Sequence, residues 1–333
     1  MDLRRGDITS LRRRSVLRLA AAAALAPMLA PMVRAQVYPS RPVRLIVGFA
    51  AGGPVDIVAR LMGQWLSDRL GQQFVVENRA GGGGNVATEA VVNATPDGYT
   101  LLMVSPSNTV NTTLYEKLSF NFTRDTAPVA GIMRTPNVMV VDPSFPATTV
   151  PDFISYARRN PGAINMASAG NGTSQHVAGE LFKMMAGINM VHVPYRGAAP
   201  ALTDLFGGRV HVMFGTTPAS IEFIRAGKLR PLAVTTTARW EGLPDVPTIS
   251  DFVPGYEASG WFGVCAPRNT PSNVIGILNR EINAGLNDPK LRARLEGLGG
   301  TVLVGSPADF GRLLAEETEK WGKVVKFAGA KPD

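Results

Sequence analysis

The sequence predicts an α/β fold in which short buried strands alternate with helices along most of the chain. Short apolar runs are followed by glycine-rich loops, and each loop is followed by apolar residues at helical spacing. This alternation is typical of a parallel, doubly wound sheet. In such sheets ligands bind outside the carboxyl ends of the strands, where these loops lie. We therefore expect the glycine loops to form a ligand-binding site.

The first 35 residues are predicted to be an export signal that precedes the folded chain. A basic segment, residues 12–18 (RRRSVLR), precedes an alanine- and leucine-rich run at 19–30, and the small residues at 33–35 (VRA) suit cleavage. The paired arginines indicate the twin-arginine route, with the general route as the alternative. The apolar run is shorter than the roughly 20 residues of a membrane span, and a membrane-surface helix is the alternative interpretation. We expect cleavage near Ala35-Gln36.

Most of the positive charge of the chain belongs to this signal. The signal carries seven arginines and two aspartates, so its removal lowers the formal net charge from +8 to +3. The sequence downstream has no basic run interleaved with aromatic residues, which is the usual footprint of nucleic-acid binding. Nucleic acid is therefore excluded as a partner. About 300 residues remain, enough for two domains of ordinary size.

Cys265 is the only cysteine, so the exported chain has no internal disulfide. It lies in an apolar, strand-like run at residues 261–266, and we expect a small buried hydrophobic side chain. A nucleophilic role is the alternative, but no histidine or acid pattern accompanies it.

Residues 44–66 contain the unit on which the expected site depends. Residues 45–47 predict a strand, residues 48–54 a loop, and Ile57, Leu61 and Trp65 a helix. This unit directs backbone N–H groups and the positive end of a helix dipole at an anion, so we expect it to bind a small carboxylate. The candidate ligand contacts here are Phe49, Ala50, Ala51, Gly52, Gly53 and Asp56.

Asp56 has two possible roles that the sequence leaves open. Its side chain could cap free N–H groups in the first helical turn. Alternatively, it could hold an ordered water or a ligand N–H group.

The remaining elements follow the same alternation and end in a helical segment. Residues 105–111 are predicted to be a polar loop after a strand, with Ser105 as a candidate ligand contact. The proline-rich stretch 143–151 and the strand 256–266 are predicted to cross between two lobes. We expect lobe 1 to comprise 36–140 and 257–333, and lobe 2 to comprise 141–256. Further strands are predicted at 73–77, 99–104, 137–141, 164–167, 191–193, 209–214 and 232–235, and helices at 86–93, 151–159, 177–185, 200–206, 218–226, 271–286, 289–295 and 307–327.

Residues 168–176 (SAGNGTSQH) form another strand, glycine loop and helix unit, in a different part of the chain. The glycines expose N–H groups and the hydroxyls lie at a helix start, so two helix ends could hold a dicarboxylate from both sides. An ordinary capped turn is the alternative. His176 either contacts the ligand or orients the loop. The candidate contacts are Ser168, Gly170, Gly172, Thr173, Ser174 and His176.

Motifs of enzymes and metal sites are missing from the sequence. The glycine loops lack Rossmann spacing and a Walker lysine, which argues against nucleotide binding. A hydrolase could use Ser168 or Ser174 with His176, but the G-x-S-x-G motif is absent. The three histidines are scattered, and H-E-x-x-H and C-x-x-C do not occur. We expect no cofactor, no metal and no catalysis. An exported α/β enzyme acting on small organic acids is the alternative.

Five ordered motifs resemble the Bug/TctC family, the substrate-binding proteins of tripartite tricarboxylate transporters. They are FAAGGPVD at 49–56, ENRAG at 77–81, PDGYTLL at 96–102, SAGNGTSQH at 168–176 and HVPYRG at 192–197. The resemblance implies a two-lobed, type II Venus-flytrap protein of the periplasm. Such a protein closes on a small carboxylate and delivers it to the permease subunits of the transporter. We expect a monomer.

The resemblance also implies a division of labour between two sets of residues. The loop at 49–56 would hold one carboxylate through backbone groups and bridging waters, and the second lobe would set specificity.

Two residues depart from the family pattern: Val55 replaces a common Thr, and Gly215 replaces a common Asp. The loss of this Asp disfavours amino-acid ligands. The acid, the permease and any signalling role cannot be read from the sequence. The second-lobe contacts implied, besides those at 168–174, are Tyr195, Arg196, Gly215 and Thr216.

Overall fold

The computed structural model describes residues 38–332, so the predicted signal at 1–35 lies outside the described residues. Strands and helices alternate along residues 43–225, except that two helices lie between the third and fourth strands. The strands are β1 (Val43–Val47), β2 (Phe74–Asn78), β3 (Thr100–Val104), β4 (Thr126–Val141), β5 (Asn165–Ser168), β6 (Val191–Pro194), β7 (Val212–Thr216), β8 (Arg230–Val234), β9 (Ser259–Pro267) and β10 (Thr301–Val302). The α-helices are α1 (Pro54–Leu70), α2 (Asn85–Val92), α3 (Pro106–Leu114), α4 (Phe122–Asp125), α5 (Val150–Arg159), α6 (Ser174–Ala186), α7 (Ala198–Phe206), α8 (Thr217–Arg225), α9 (Ser272–Asn287), α10 (Pro289–Gly297) and α11 (Pro307–Ala328).

The strands of the described chain are hydrogen-bonded in the order β2-β1-β3-β9-β4-β7-β5-β6, and β8 and β10 also pair with β4. β1 is parallel to β2 and β3, and β5 is parallel to β6 and β7. These strands are linked through helices, as parallel pairs require. The prediction of a parallel sheet is wrong for β4 and β9, which run antiparallel to their neighbours. No helix within residues 38–332 is both long and apolar enough to cross a membrane.

β4 belongs to both parts of the sheet. Up to Pro136 it pairs with β9, and from Asn137 onward it pairs with β7. Only its last five residues were predicted as a strand, because Pro128 and Pro136 argue against a strand in the sequence. The sheet accommodates Pro128 where the register of β4 against β9 shifts. The boundaries of the two predicted lobes stay a prediction.

The predicted polar loop at 105–111 is wrong, because these residues form helix α3. The Ser105 N–H donates to Asn108 Oδ1 at 2.9 Å, which caps the helix, and Pro106 occupies its first position. The sequence conceals this helix because its buried residues include the polar Ser107, Thr109 and Asn111. A search for apolar periodicity therefore fails there.

Cys265 is fully buried, as predicted, and burial raises the pKa of its thiol to about 12. It lies in a core cluster with Trp261 and Phe310, and the same helix α11 that carries Phe310 places Trp321 in a second cluster. Between the clusters, Glu317 Oε2 accepts the indole N–H of Trp261 at 3.0 Å and of Trp321 at 2.7 Å. One buried carboxylate thus fixes helix α11 against β9.

We expect Glu317→Ala to lower the free energy of unfolding by about 2–5 kcal/mol, because two buried indole donors lose their acceptor. Glu317→Gln is the matched control, since its amide oxygen can still accept a hydrogen bond, and its loss should be clearly smaller. Urea denaturation measures both. Equal losses in the two variants would show that the two indole hydrogen bonds do not matter.

Candidate functional site

The loop between β1 and α1 is held by the buried carboxylate of Asp56. Its Oδ2 accepts the Gly52 N–H and Arg60 Nε, each at 2.9 Å. Its Oδ1 accepts Arg60 Nη2 and Asn78 Nδ2, again at 2.9 Å. Asn78 also donates to the Phe49 carbonyl at 3.0 Å. Of the two roles considered for Asp56, the geometry favours support of the loop, because both oxygens already accept protein donors.

Asp56 is 2 % exposed and carries its negative charge within this network. Burial alone would raise the pKa of Asp56, but the hydrogen bonds from Arg60, Gly52 and Asn78 outweigh it and lower the pKa below its ordinary value. Arg60 lies one helical turn after Asp56, so an i, i+4 pair was visible in the sequence. The hydrogen bond from Asn78 could not be read from the sequence, because it depends on the pairing of β1 with β2.

The same loop contains backbone N–H groups that have no acceptor within the described residues. Ala50 and Ala51 are exposed, and within the described residues their N–H groups and that of Gly53 donate no hydrogen bond. Gly53 is the extended N-cap of α1, with no side-chain cap. The loop therefore retains free donors beside the positive end of a 17-residue helix.

The second glycine loop, residues 81–84, packs directly against the first. A Cβ added to Gly48 would lie 2.8 Å from the Gly84 Cα, and one added to Gly84 would lie 3.7 Å from the Phe49 ring. Gly81, Gly82, Gly83 and Gly84 all have positive φ. Close backbone approach therefore requires glycine at this contact.

The loop at residues 168–176 is organised by Ser168, Thr173 and Gln175. Ser168 Oγ donates to the Gly170 carbonyl at 3.1 Å and Thr173 Oγ1 donates to the same carbonyl at 2.7 Å. Gln175 Oε1 accepts the Ala169 N–H at 2.7 Å. Ser174 is the first residue of α6, and Thr173 caps it. The polar residues grouped in the sequence are thus brought together at one helix end.

His176 holds the loop at residues 168–176 through a hydrogen bond and stacks on a second histidine. Its Nδ1 accepts the Gly172 N–H at 3.1 Å, and its ring stacks on that of His192 with centroids 3.9 Å apart. His192 Nε2 lies 2.7 Å from Ser168 Oγ. Ser168 Oγ also accepts the Gly170 N–H at 3.2 Å, so His192 and the loop backbone hold the same hydroxyl. Of the two roles considered for His176, its hydrogen bond to Gly172 favours orientation of the loop.

Both imidazoles of this stack are neutral at neutral pH. Burial first, and then His192 and Lys183, lower the pKa of His176 to about 3. Burial first, and then Lys183, lower the pKa of His192 to about 4. The sequence did not pair these two histidines, because 15 residues separate them and they lie on different elements, α6 and β6.

Tyr195 and Arg196 lie beside this loop at the end of β6. The Tyr195 N–H donates to the Ser168 carbonyl at 3.0 Å, and the Gly197 N–H donates to the Ala169 carbonyl at 3.1 Å. The Tyr195 hydroxyl donates to Asp204 Oδ2 at 2.8 Å, so a protein acceptor already uses it. Arg196 is exposed, and within the described residues its guanidinium forms no ion pair.

Gly215 and Thr216 occupy opposite faces of β7. A Cβ on Gly215 would lie 2.2 Å from Ser220 Oγ, so this glycine leaves room for Ser220. A side chain at 215 would therefore point at helix α8. Thr216 is 6 % exposed and lies opposite Asn137 in the register of β4 and β7.

Helix α3 connects the two groups of loops. Asn111 Nδ2 donates to the Gly83 carbonyl and to Asn85 Oδ1, each at 3.0 Å. A Cβ on Gly172 would lie 2.8 Å from Asn111 Oδ1. The loop at 168–176 thus contacts the same helix that holds the glycine loop at 81–84. Sequence analysis missed Asn111, because α3 was not predicted.

Residues 58–330 match the family described as "Tripartite tricarboxylate transporter family receptor" (TctC). The chain belongs to the TctC family. A UPF0065 protein from the tcbD-tcbE intergenic region of Pseudomonas sp. (strain P51) is 39% identical over 324 residues, covering 96% of this chain and 95% of that protein. Protein BugT of Bordetella pertussis is 36% identical over 306 residues, covering 91% and 94%. The predicted Bug/TctC resemblance is confirmed.

Solved structures similar to this TctC-family chain are periplasmic binding proteins or carry bound acids. Rpa4515 of R. palustris, solved with adipate, has a TM-score of 0.84 and 41% identity, covering 89% of this chain and all of that one. Periplasmic binding protein BugD has a TM-score of 0.81 and 34% identity, covering 88% and 99%. MatC of Rhodopseudomonas palustris, solved with malate, has a TM-score of 0.79 and 32% identity, covering 86% and 100%. The predicted type II binding-protein fold is confirmed.

Asp56→Ala should weaken ligand binding at least tenfold and lower the free energy of unfolding by about 1–3 kcal/mol, because Gly52 and Asn78 lose their acceptor. Arg60→Gln is the control, since it removes the exposed partner and keeps the other two hydrogen bonds. Calorimetric titration and urea denaturation measure both. If Arg60→Gln weakened binding as much as Asp56→Ala, the charge of Arg60 and not the shape of the loop would matter.

The histidine stack should make the protein less stable in acid. The unfolded chain binds protons near the ordinary histidine pKa of 6.5, but folded His176 does so only near 3. Stability is therefore lost as the pH falls from about 6.5 towards 4. The double variant His176→Gln/His192→Gln should show a shallower fall of melting temperature over this range. An unchanged slope would contradict the neutral stack as its source.

Proposed function

We propose that this chain is a periplasmic receptor that captures a small dicarboxylate between the loop at 49–56 and the loop at 168–176. The observation that carries the proposal is the pair of glycine-rich helix starts, α1 and α6, each with donors at its N-terminus. Two similar proteins were solved with adipate and with malate, which are dicarboxylates. The proposed function extends that ligand class to this chain.

The electrostatics of the described site support a carboxylate ligand. The Asp56 charge is matched by Arg60, and the two stacked imidazoles are neutral. Arg196, exposed beside the second loop, adds a cation that is matched by no anion among the described residues. A dianion would therefore meet helix N-termini and one guanidinium, with no uncompensated negative group close to either loop.

Delivery to a membrane permease completes the proposal. The family description names a receptor of a tripartite tricarboxylate transporter, which implies permease subunits as partners. The periplasmic location agrees with that of the similar structure BugD, a periplasmic binding protein. Cleavage of the proposed signal near Ala35-Gln36 would release the receptor there. We propose that the receptor acts as a monomer. Catalysis is disfavoured at Ser168, since its side chain is fully buried and its oxygen is already engaged by Gly170 and His192 within the loop.

The mature protein, beginning at Gln36, should melt at a higher temperature with adipate, malate or succinate, but not with adipamide, which lacks the charges. A ligand at 100 times its dissociation constant adds about 2.7 kcal/mol to the free energy of unfolding. Thermal denaturation across a panel of acids measures the shift. No shift with any acid would contradict the proposal, and turnover of an acid in the same samples would favour an enzyme.

Gly52→Val should weaken acid binding at least tenfold by distorting the first loop. Gly52 has a φ of +81°, which a β-branched residue adopts only under strain, and an added Cβ meets no atom within 4 Å. Gly71→Val is the matched control, because Gly71 has a φ of +69° and an equally open Cβ position at the other end of α1. Both variants should lose similar stability. If Gly52→Val bound acids as tightly as Gly71→Val does, the conformation of the first loop would not matter for binding.

A further inference from the structure

A group of buried polar atoms lies where β4 passes from one set of strands to the other. Three of these buried atoms neither donate nor accept a hydrogen bond within the described residues: Thr135 Oγ1, Asn137 Oδ1 and Thr216 Oγ1. Thr135 and Asn137 are 0% exposed and Thr216 is 6% exposed. An unpaired buried polar atom is costly, and three in one region are unusual for a stable protein.

These three side chains share one face of the sheet. Thr135 and Asn137 are two residues apart on the same strand, so they point the same way. Thr216 lies directly opposite Asn137 in the antiparallel register of β4 and β7, which places its side chain on that face too. The face is turned towards the start of α6, because Asn137 Nδ2 donates to the Ser174 carbonyl at 3.3 Å.

Gly260 lets β9 pack closely against this group. It lies opposite Thr135 on β9. A Cβ added to Gly260 would lie 3.0 Å from Thr135 Oγ1 and 3.8 Å from Ser174 Oγ. The absence of a side chain at residue 260 therefore lets β9 pack close to a hydroxyl of β4 and to the first hydroxyl of α6, which belongs to the proposed ligand loop.

The chemistry of the group selects its occupant. The Ser174 carbonyl fixes the orientation of the Asn137 amide, since only Nδ2 can donate to it. The atom left over, Oδ1, can only accept, so it repels a carboxylate and requires a donor. The threonine hydroxyls can donate or accept. An O–H group satisfies both kinds of partner.

We propose that Thr135, Asn137 and Thr216 form a hydroxyl site, which binds one O–H group through Asn137 Oδ1 and at least one threonine. The O–H group is supplied by a hydroxyl of the bound organic acid or by an ordered water that the acid contacts. This inference rests on the proposed function, because it assigns a specificity determinant to the same ligand site. It adds Thr135 and Asn137, which sequence analysis did not consider.

Malate and succinate differ by one hydroxyl and therefore test the site directly by calorimetric titration. If the ligand supplies the hydroxyl, the wild-type protein binds malate about tenfold more tightly, as one hydrogen bond can provide. Thr135→Val and Thr216→Val preserve side-chain shape, and each should bring the ratio of the two dissociation constants towards one. Thr126→Val is the matched control, since this buried threonine of β4 donates to the Phe122 carbonyl at 2.7 Å. Its ratio should match that of the wild type.

A bridging water gives a different result in the same titrations. The wild-type protein then binds both acids alike, and each of the two site variants weakens both by threefold or more, whereas Thr126→Val does not. Wild-type affinities for both acids in Thr135→Val and in Thr216→Val would overturn the proposal. Gly260→Ala should lower affinity without removing any polar group, because its methyl occupies the space beside Thr135.

A crystal structure of the mature protein tests the site without relying on a known ligand. An oxygen of a water or an acid should lie within about 3.2 Å of Asn137 Oδ1 and of one threonine hydroxyl. A well-resolved structure with no such oxygen would overturn the hydroxyl site. A wild-type protein that binds no acid of the panel would instead overturn the proposed function, and the crystal structure would still decide whether the hydroxyl site exists.

Discussion

The continuous pairing of β4 is the constraint on which the rest of the structure depends. Backbone groups of a buried strand must all find partners, and β4 finds them in β9 and β10 at one end and in β7 and β8 at the other. The start of α8 after β7 and the loop after β5, one strand further, are thereby placed relative to the loop after β1 and the start of α3. Helix α11 braces the same region through the Glu317 carboxylate.

Support of the loops and contact with the ligand are assigned to different groups. Asp56, His176 and His192 carry the most chemically versatile side chains near the two loops, and each is engaged with the protein itself. What remains for a ligand are backbone donors, helix ends, hydroxyls and the exposed guanidinium of Arg196. These groups favour any small anion, so selectivity among acids has to come from uncharged contacts such as the proposed hydroxyl site on β4.

Much of the fold could be predicted because its signals are local. The glycine loop before α1, the strand that precedes it and the capped start of α6 each occupy one short stretch of sequence. The failures also have local causes. Helix α3 was missed because its buried face is polar, and the first part of β4 was missed because it contains two prolines. The mixed direction of the sheet escaped prediction because strand direction depends on partners far along the chain.

The candidate site shows the same division between local and distant causes. Sequence alone determined that the loops at 49–56 and 168–176 are glycine-rich helix starts, that Asp56 sits in a first turn, and that the family motifs are present in order. Tertiary structure alone decided that Asp56 holds Gly52 and Asn78, that His176 stacks on His192, and that Asn137 faces Thr216 across two strands. The physical reason is that hydrogen-bond partners and burial are set by strand pairing. Strand pairing joins residues that the sequence keeps far apart, and no local pattern records it.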